Sequence, residues 1–437
     1  MPDQTVSQMD LNKINVIVDG YNLEMQQGTG IKTYATTLVN ALISLGVNVD
    51  LLCSRHVTDR DNSLLVESMF FDDQKGEIDC SKLKLLKLFL KLYFNHIKEI
   101  PNTEFVIKQE SDFIFSNLSA SGKILNISGC YTLANSLYRL ARLNTTVNVS
   151  RKIDVWHMTY PIPIKIKNAK TIATIHDLVP LKLPYTTLDD KKYFFNIVDS
   201  TIKKSDLILT VSESARQDIL QCFDIDPEKV FLTYQPIINN SALIKEDSVS
   251  SVLDRYSLEF QKYILFVGAI EPKKNVGRLV EAYKGLDTDM KLVIVGKKAW
   301  LWKDTIDNIK NLFGKNFSKK VKILNYLPRK DLGYLYTGAF CFVFPSLYEG
   351  FGLPPLEAMS FNCPVITSKV SSLPEVCGDA AIYIDPYDSD DIREGIEKLI
   401  NNPHVRSKLI ESGKERLKIF SMENYKEKLY KAYTKII

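Results

Sequence analysis

From Lys262 onward, short apolar runs rich in β-branched and aromatic residues recur at intervals filled by helix-like sequence, and no other feature restricts the fold so tightly. The runs are YILFVGAI (263–270), MKLVIVG (290–296), KVKILNYL (320–327), FCFVFPS (340–346), CPVITS (363–368) and AAIYID (380–385). Runs buried on both faces suit a parallel sheet covered by helices on each side. Between them, Val276 to Leu286, Trp302 to Phe313 and Lys330 to Thr337 read as helices. Strand alternating with helix predicts a doubly wound α/β unit.

The first half repeats the theme with INVIVD (14–19), VNVDLLC (47–53), IDVWHM (153–158), KTIATIH (170–176) and DLILTV (206–211). A chain of 437 residues has room for both units, since a domain takes roughly 100–200 residues. The polar stretch from Ile237 to Gln261 lacks a sheet strand, which places a linker at 241–261 between lobes at 1–240 and 262–420. A final helix over 421–437 is expected to pack back on the amino-terminal lobe. In open α/β sheets ligands bind beyond the carboxyl ends of the strands, so the cleft between the lobes is the expected site.

Composition excludes several function classes. With 45% apolar and 25% charged residues the chain is not a disordered hub, and a net charge of +4 gives no nucleic-acid footprint. The amino terminus lacks the apolar core of a secretory signal, and no run reaches the roughly 18 apolar residues of a membrane span. Seven cysteines without a C-x-x-C and five unclustered histidines point to free thiols in a reducing cytoplasm and to no structural zinc. CSKLKLLKLFLKLYFNHIKEI (80–100) reads as a basic amphipathic helix, with Lys84, Lys87 and Lys91 on one face, which suits either a solvated face or an anionic membrane surface.

The most informative stretch is PSLYEGFGLPPLEAMSFNCP (345–364), directly after an apolar strand. Gly350 and Gly352 permit a tight turn, while Pro354 and Pro355 suit the first turn of a helix. Free amides and the positive dipole end at such a point favour a phosphate. Glu349 and Glu357 would repel that phosphate unless they accept hydrogen bonds from hydroxyls flanking it, on a sugar and on a ribose. Asp388-Ser389-Asp390 and Asp59-Arg60-Asp61 match the D-x-D letters of metal-dependent transferases, but the first precedes a helical run as a cap does, and both are read as structural. Gly28 and Gly30 do not complete a dinucleotide fingerprint, because Thr33 stands where its third glycine belongs. A dehydrogenase is thereby disfavoured.

EGFGLPPLE, preceded by VFPS and followed by A-M-x-x-x-x-P-V-I, resembles the donor signature of the retaining glycosyltransferases of family 4, which have the GT-B fold of two Rossmann-like lobes flanking a cleft. The resemblance extends to FVGAIEPKKNVGRLVEAY (266–283), TIHDLVPLKLP (174–184) and GTGIKTYATTLVNAL (28–42). It implies a hexosyltransferase in which Glu357 binds the ribose hydroxyls of a nucleotide sugar and Glu349 sits by the transferred sugar. The backbone of Phe351, Gly352 and Leu353 would meet sugar and phosphate. Lys274 would neutralise the diphosphate, His176 would contact the transferred sugar, and Gly28 and Gly30 would cover the phosphates. An arginine common in the family is replaced by Ala269, so Lys273 or a residue of the amino-terminal lobe is the candidate second cation. Asp177 either joins His176 or caps the next turn, and the strand ends at Val295, Gly296, Asn325, Tyr326 and Leu327 are expected at the base.

The resemblance further implies no metal and no cofactor beyond the nucleotide diphosphate sugar. It is nearest to bacterial mannosyltransferase-like surface-polysaccharide enzymes, which makes GDP-mannose the first donor expectation and a glycan or lipid-linked oligosaccharide the acceptor, met at the inner membrane surface. UDP- or dTDP-linked glucose, GlcNAc or rhamnose remain alternatives, as does a non-catalytic nucleotide-sugar-binding subunit.

Overall fold

The computed structural model describes residues 11–25, 30–57, 62–72, 97–109, 112–118, 122–238, 241, 244–325 and 327–437. Among them, the six carboxyl-terminal runs form one wholly parallel sheet in the order Val321–Leu324, Lys291–Val295, Tyr263–Val267, Cys341–Phe344, Val365–Ser368, Ala381–Ile384. The chain starts in the middle, winds outward one way, then returns and winds the other way. The turning point lies between Tyr263–Val267 and Cys341–Phe344, where the loops leaving the two strands diverge and open a crevice.

The amino-terminal sheet runs Val230–Leu232, Leu207–Thr210, Lys170–Thr174, Val155–Met158, Asn15–Asp19, Asn48–Cys53, Ile124–Asn126, Lys98–Ile100. Its pairs are parallel except the last, in which Lys98–Ile100 lies antiparallel to Ile124–Asn126. The helix expected over 80–100 therefore does not extend through its final residues, because their backbone completes a sheet edge. The body of that segment lies outside the described residues. Two short strands, Thr145–Val147 and Ile164–Ile166, pair separately, and the indole of the fully buried Trp156 donates to the Ile164 carbonyl at 3.1 Å.

The polar stretch 241–261 contains a helix, Val249–Arg255, which buries Val252 and Leu253 and packs on the helix Arg329–Gly338. Arg255 and the Tyr256 hydroxyl both bond Asp331, at 3.1 and 2.5 Å. The backbone passes between the lobes at two adjacent places tied by Ile237 N–H to the Phe420 carbonyl, 2.9 Å. The final helix, Met422–Thr434, lies against Gly30–Ser44, and the Tyr433 hydroxyl meets Nδ1 of the buried His157 at 2.6 Å. No helix of the described residues is long and apolar enough to cross a membrane.

Candidate active site

At the turning point of the carboxyl-terminal sheet, the loop after Tyr263–Val267 enters one turn of 3-10 helix, Pro272–Lys274. Asn275 closes it at φ +58°, and its side-chain amide donates to the carbonyls of Pro345 and Pro386 at 3.0 and 2.6 Å. Asparagine tolerates the left-handed region because its short polar side chain finds local partners. Leu347 N–H donates to the Lys273 carbonyl at 2.9 Å, so the lysine turn and the glutamate loop are tied together.

That junction brings three charges together. Lys274 Nζ lies 2.6 Å from one oxygen of Glu349, and Lys273 Nζ lies 3.7 Å from the other. Burial works against all three charges. Even so, Glu349, Asp177 and Glu271 hold Lys273 above the ordinary lysine range. Burial, joined by repulsion from Lys273, brings Lys274 below it despite Glu349. Burial raises the Glu349 carboxyl, but the two lysines outweigh it and hold the group below the usual carboxylate range. Two ammoniums thus meet on one carboxylate, with Asp177 and Glu271 flanking Lys273, and the pair of cations is organised before any ligand arrives. The Glu349 backbone is fixed as well: its N–H donates to Ser371 Oγ at 2.9 Å, and the buried Ser372 hydroxyl donates toward the carbonyls of Glu349 and Phe351 at 2.9 and 2.7 Å.

Gly352 caps the helix Leu353–Ser360 at φ +100°, a conformation costly for any side chain, and the two prolines fill the first turn as expected. The Phe351 ring turns inward onto Tyr234 and Phe420, leaving its backbone to the loop. Glu357 lies in a second cavity, which neither lysine lines, with Arg329, Leu332 and Tyr336. Its carboxylate accepts from the Tyr336 hydroxyl at 3.4 Å; burial pushes its pKa up, with Arg329 opposing. The two glutamates thus serve two separate places. Val295, Gly296, Asn325 and Leu327 do not line the Glu357 cavity, and Gly296 is packed so closely that an added Cβ would meet the Gly268 carbonyl at 1.8 Å. Tyr326 lies outside the described residues.

From the amino-terminal lobe, His176 follows the strand Lys170–Thr174 into the cleft. Its Nε2 meets the Thr159 carbonyl at 2.9 Å, which puts the proton on that nitrogen, and its ring stands edge-on to Tyr34 at 4.7 Å. Burial lowers its pKa, so the imidazole is neutral. Asp177 accepts from Val179 N–H at 3.0 Å, as a cap does. The lobes meet here: a Cβ on Gly350 would lie 2.5 Å from the His176 carbonyl, and the Ser212 hydroxyl donates to the Gly350 carbonyl at 2.5 Å. Gly30 opens the helix Gly30–Ser44 and is exposed, with open space at its Cβ; Gly28 lies outside the described residues. Asp388 caps Ser389–Asn401 by accepting from Asp390 N–H at 2.8 Å, while Asp59-Arg60-Asp61 lies outside the described residues.

Sequence reasoning missed three participants. Arg329 crosses the cleft to bond Thr33 Oγ1 at 2.9 Å beside Glu357. Glu375 caps the amino-terminal lobe's helix Glu213–Cys222 by accepting from the N–H groups of Glu213 and Ser214, at 2.6 and 3.0 Å. Tyr348 bonds Asp218 of that helix. Arg329 opens a helix and Glu375 sits in the first turn of another, positions where charged residues are ordinarily solvated, so nothing local marks them.

Residues 122–238 match the family model described as Glycosyltransferase Family 4, and residues 256–416 match Glycosyl transferases group 1. The chain is 32% identical to the O-antigen chain mannosyltransferase B of Escherichia coli over 364 residues, covering 80% of this chain and 91% of that one. It belongs to the family 4 glycosyltransferases. Identity to the O-antigen chain mannosyltransferase RfbU of Salmonella typhimurium is 30%, over 58% of this chain and 65% of the relative. Among solved structures, sucrose-phosphate synthase of Thermosynechococcus elongatus superposes with a TM-score of 0.68 at 16% identity, covering 97% of this chain and 99% of that one. The Anabaena protein HepE, in complex with UDP and glucose, superposes at 0.66 with 11% identity, over 97% and 100% of the two chains. This family 4 glycosyltransferase therefore has the GT-B fold, and it is a hexosyltransferase.

Proposed function

We propose that this glycosyltransferase moves mannose from GDP-mannose, with retention, to a glycan of a cell-surface polysaccharide such as an O-antigen. The observation that carries the reading is the pair of buried ammoniums, Lys273 and Lys274, held on Glu349, with Lys273 lining the same cavity as the neutral His176. A departing nucleoside diphosphate gains negative charge, and ammonium groups already fixed in a water-poor cleft stabilise it without reorganising. Glu357, in the adjoining cavity, takes the ribose hydroxyls, and Glu349 orients the lysines and the transferred hexose. His176, protonated on Nε2 and so bound to Thr159, offers Nδ1 as an acceptor to a sugar hydroxyl. The choice of mannose is supported by the two O-antigen mannosyltransferases similar to this chain.

The test is a panel of GDP-, UDP- and dTDP-linked hexoses assayed for hydrolysis and transfer with and without EDTA. The expected outcome is GDP-mannose turnover unaffected by EDTA, with retained anomeric configuration by NMR. Preference for a UDP-sugar would reassign the donor, and loss restored only by Mn²⁺ would overturn the lysine-based account.

The acceptor is proposed to be lipid-linked and met at the cytoplasmic face of the membrane. In sequence the basic segment 80–100 is followed by Phe105 and Ile107, which are 77% and 94% exposed. Each lysine near an anionic surface adds about 1 kcal/mol, screened by salt. Anionic vesicles should retain the protein at low salt and release it at high salt, and Lys84→Glu/Lys87→Glu/Lys91→Glu should abolish retention; absence of wild-type retention would sink the idea.

A further inference from the structure

Beside His176 the cleft holds a cavity of about 270 Å³ walled mostly by the amino-terminal lobe. None of Glu349, Gly350, Phe351, Gly352, Leu353 or Glu357 lines it, so it lies outside the donor loop, and it touches that side only through Glu271 and Lys273. Its walls are of two kinds. Tyr160, Pro161, Pro180 and Phe194 give flat apolar surface, and Asp177 and Asp189 give carboxylates. Tyr160 is half-buried and held by stacking on Tyr21, with ring centroids 6.5 Å apart and planes 21° apart. Burial, with the Asp189 and Asp177 charges, pushes its hydroxyl above the usual phenol range, so it remains a neutral donor.

We propose that this cavity holds the terminal residue of the acceptor glycan and selects an uncharged hexose over an acidic one. The inference rests on the transferase reading above and names the acceptor class for the same cleft. The volume lies below the roughly 300–1,000 Å³ of sites for drug-sized ligands, so it admits one sugar ring and leaves the rest of the chain outside. The C–H faces of a pyranose pack on the tyrosine and proline surfaces, and its hydroxyls donate to the carboxylates, which only accept. Charge sets the selection. Among the described residues of the lining, Asp177, Asp189 and Glu271 face a single cation, Lys273, which Glu349 already engages at 3.7 Å. A uronate or sugar phosphate would enter a negative compartment and lose its hydration there, whereas a neutral hexose pays neither penalty.

The test measures transfer from the preferred donor to octyl glycosides ending in mannose, glucose, galactose, glucuronate or mannose 6-phosphate. Neutral acceptors should exceed the acidic ones at least tenfold in kcat/KM. Tyr160→Ala should raise the acceptor KM tenfold or more while the donor KM moves less than twofold, and Asp189→Asn should narrow the neutral-to-acidic ratio several-fold. Calorimetric binding of the nucleoside diphosphate by each variant reports intact folding of the donor lobe. Equal use of acidic acceptors, or an acceptor KM indifferent to Tyr160→Ala, overturns the proposal and leaves the donor assignment standing. Failure of the wild type to bind any nucleoside diphosphate or turn over any nucleotide sugar defeats the transferase reading itself.

Discussion

Glu357 and Lys274 bear the two halves of the donor assignment, and their replacement should separate binding from chemistry. Glu357→Ala removes a charged acceptor from the ribose hydroxyls, and such bonds are worth about 1.5–3 kcal/mol each. Affinity for the nucleoside diphosphate should fall roughly ten- to a hundredfold by calorimetry, and unchanged affinity would refute the role. Lys274→Ala should depress kcat more than ground-state binding, because leaving-group charge grows toward the transition state. It also leaves the buried Glu349 with only Lys273 at 3.7 Å, so stability falls too. Adding Glu349→Gln should restore the melting temperature without restoring turnover; recovery of both would mean that Lys274 acts only as a structural partner. Both lysines and both glutamates stand out in the sequence through their motif. The direct Lys274–Glu349 bond does not, since it joins residues 75 positions apart on loops that only the parallel sheet brings together. Arg329 and Glu375 are invisible for the same reason.

At the scale of elements, runs of four to six residues in the central strands are legible because burial on both faces makes them continuously apolar. The three-residue strands Lys98–Ile100, Ile124–Asn126 and Val230–Leu232 lie toward the sheet margins and are too short to show a period, so they pass for loop. The glycine loop is legible as a turn, but the reason for Gly350 is not: it faces the other lobe. Gly350→Ala would set a methyl 2.5 Å from the His176 carbonyl and 2.8 Å from Asp177 Cβ, forcing the lobes apart. A misplacement of about 1 Å between reacting groups can cost on the order of a hundredfold. Turnover should therefore drop by about that factor while the nucleoside diphosphate, held within the carboxyl-terminal lobe, binds nearly as before. Gly277→Ala is the contrast. That position lies within the helix Val276–Lys284 with open space at its Cβ, and alanine should stabilise by about 0.5–1 kcal/mol without changing turnover. If Gly350→Ala were equally harmless, the lobes would not close as tightly in solution as this contact requires.

At the scale of the whole molecule, the final helix fastens the carboxyl-terminal sequence to the amino-terminal lobe at one titratable point. His157 lies fully buried between the Tyr433 hydroxyl at 2.6 Å and Thr174 Oγ1 at 3.1 Å, and burial lowers its pKa from 6.5 to about 3. As the pH falls below 6.5 the unfolded chain takes up this proton while the folded one refuses it. The stability that His157 contributes is thus complete above that value and is lost progressively down to about pH 3, by at most about 5 kcal/mol. Asp19 and Glu24 act in the opposite sense. Burial raises them to about 6 and about 7, so the unfolded chain releases their protons first, and stability rises as the pH falls from about 7 toward the ordinary carboxylate values. Because these slopes overlap, the acid limb of the wild type alone cannot reveal His157. The difference between wild type and His157→Gln can: the glutamine variant should lose stability at pH 7.5 through imperfect packing, and that deficit should shrink or reverse by pH 4.5 in urea unfolding. NMR of the folded wild type offers a second measurement that does not depend on the variant folding. The His157 ring signals should stay at neutral-imidazole positions down to about pH 4, and a midpoint near 6.5 would mean that water reaches the junction and the helix is not docked as described.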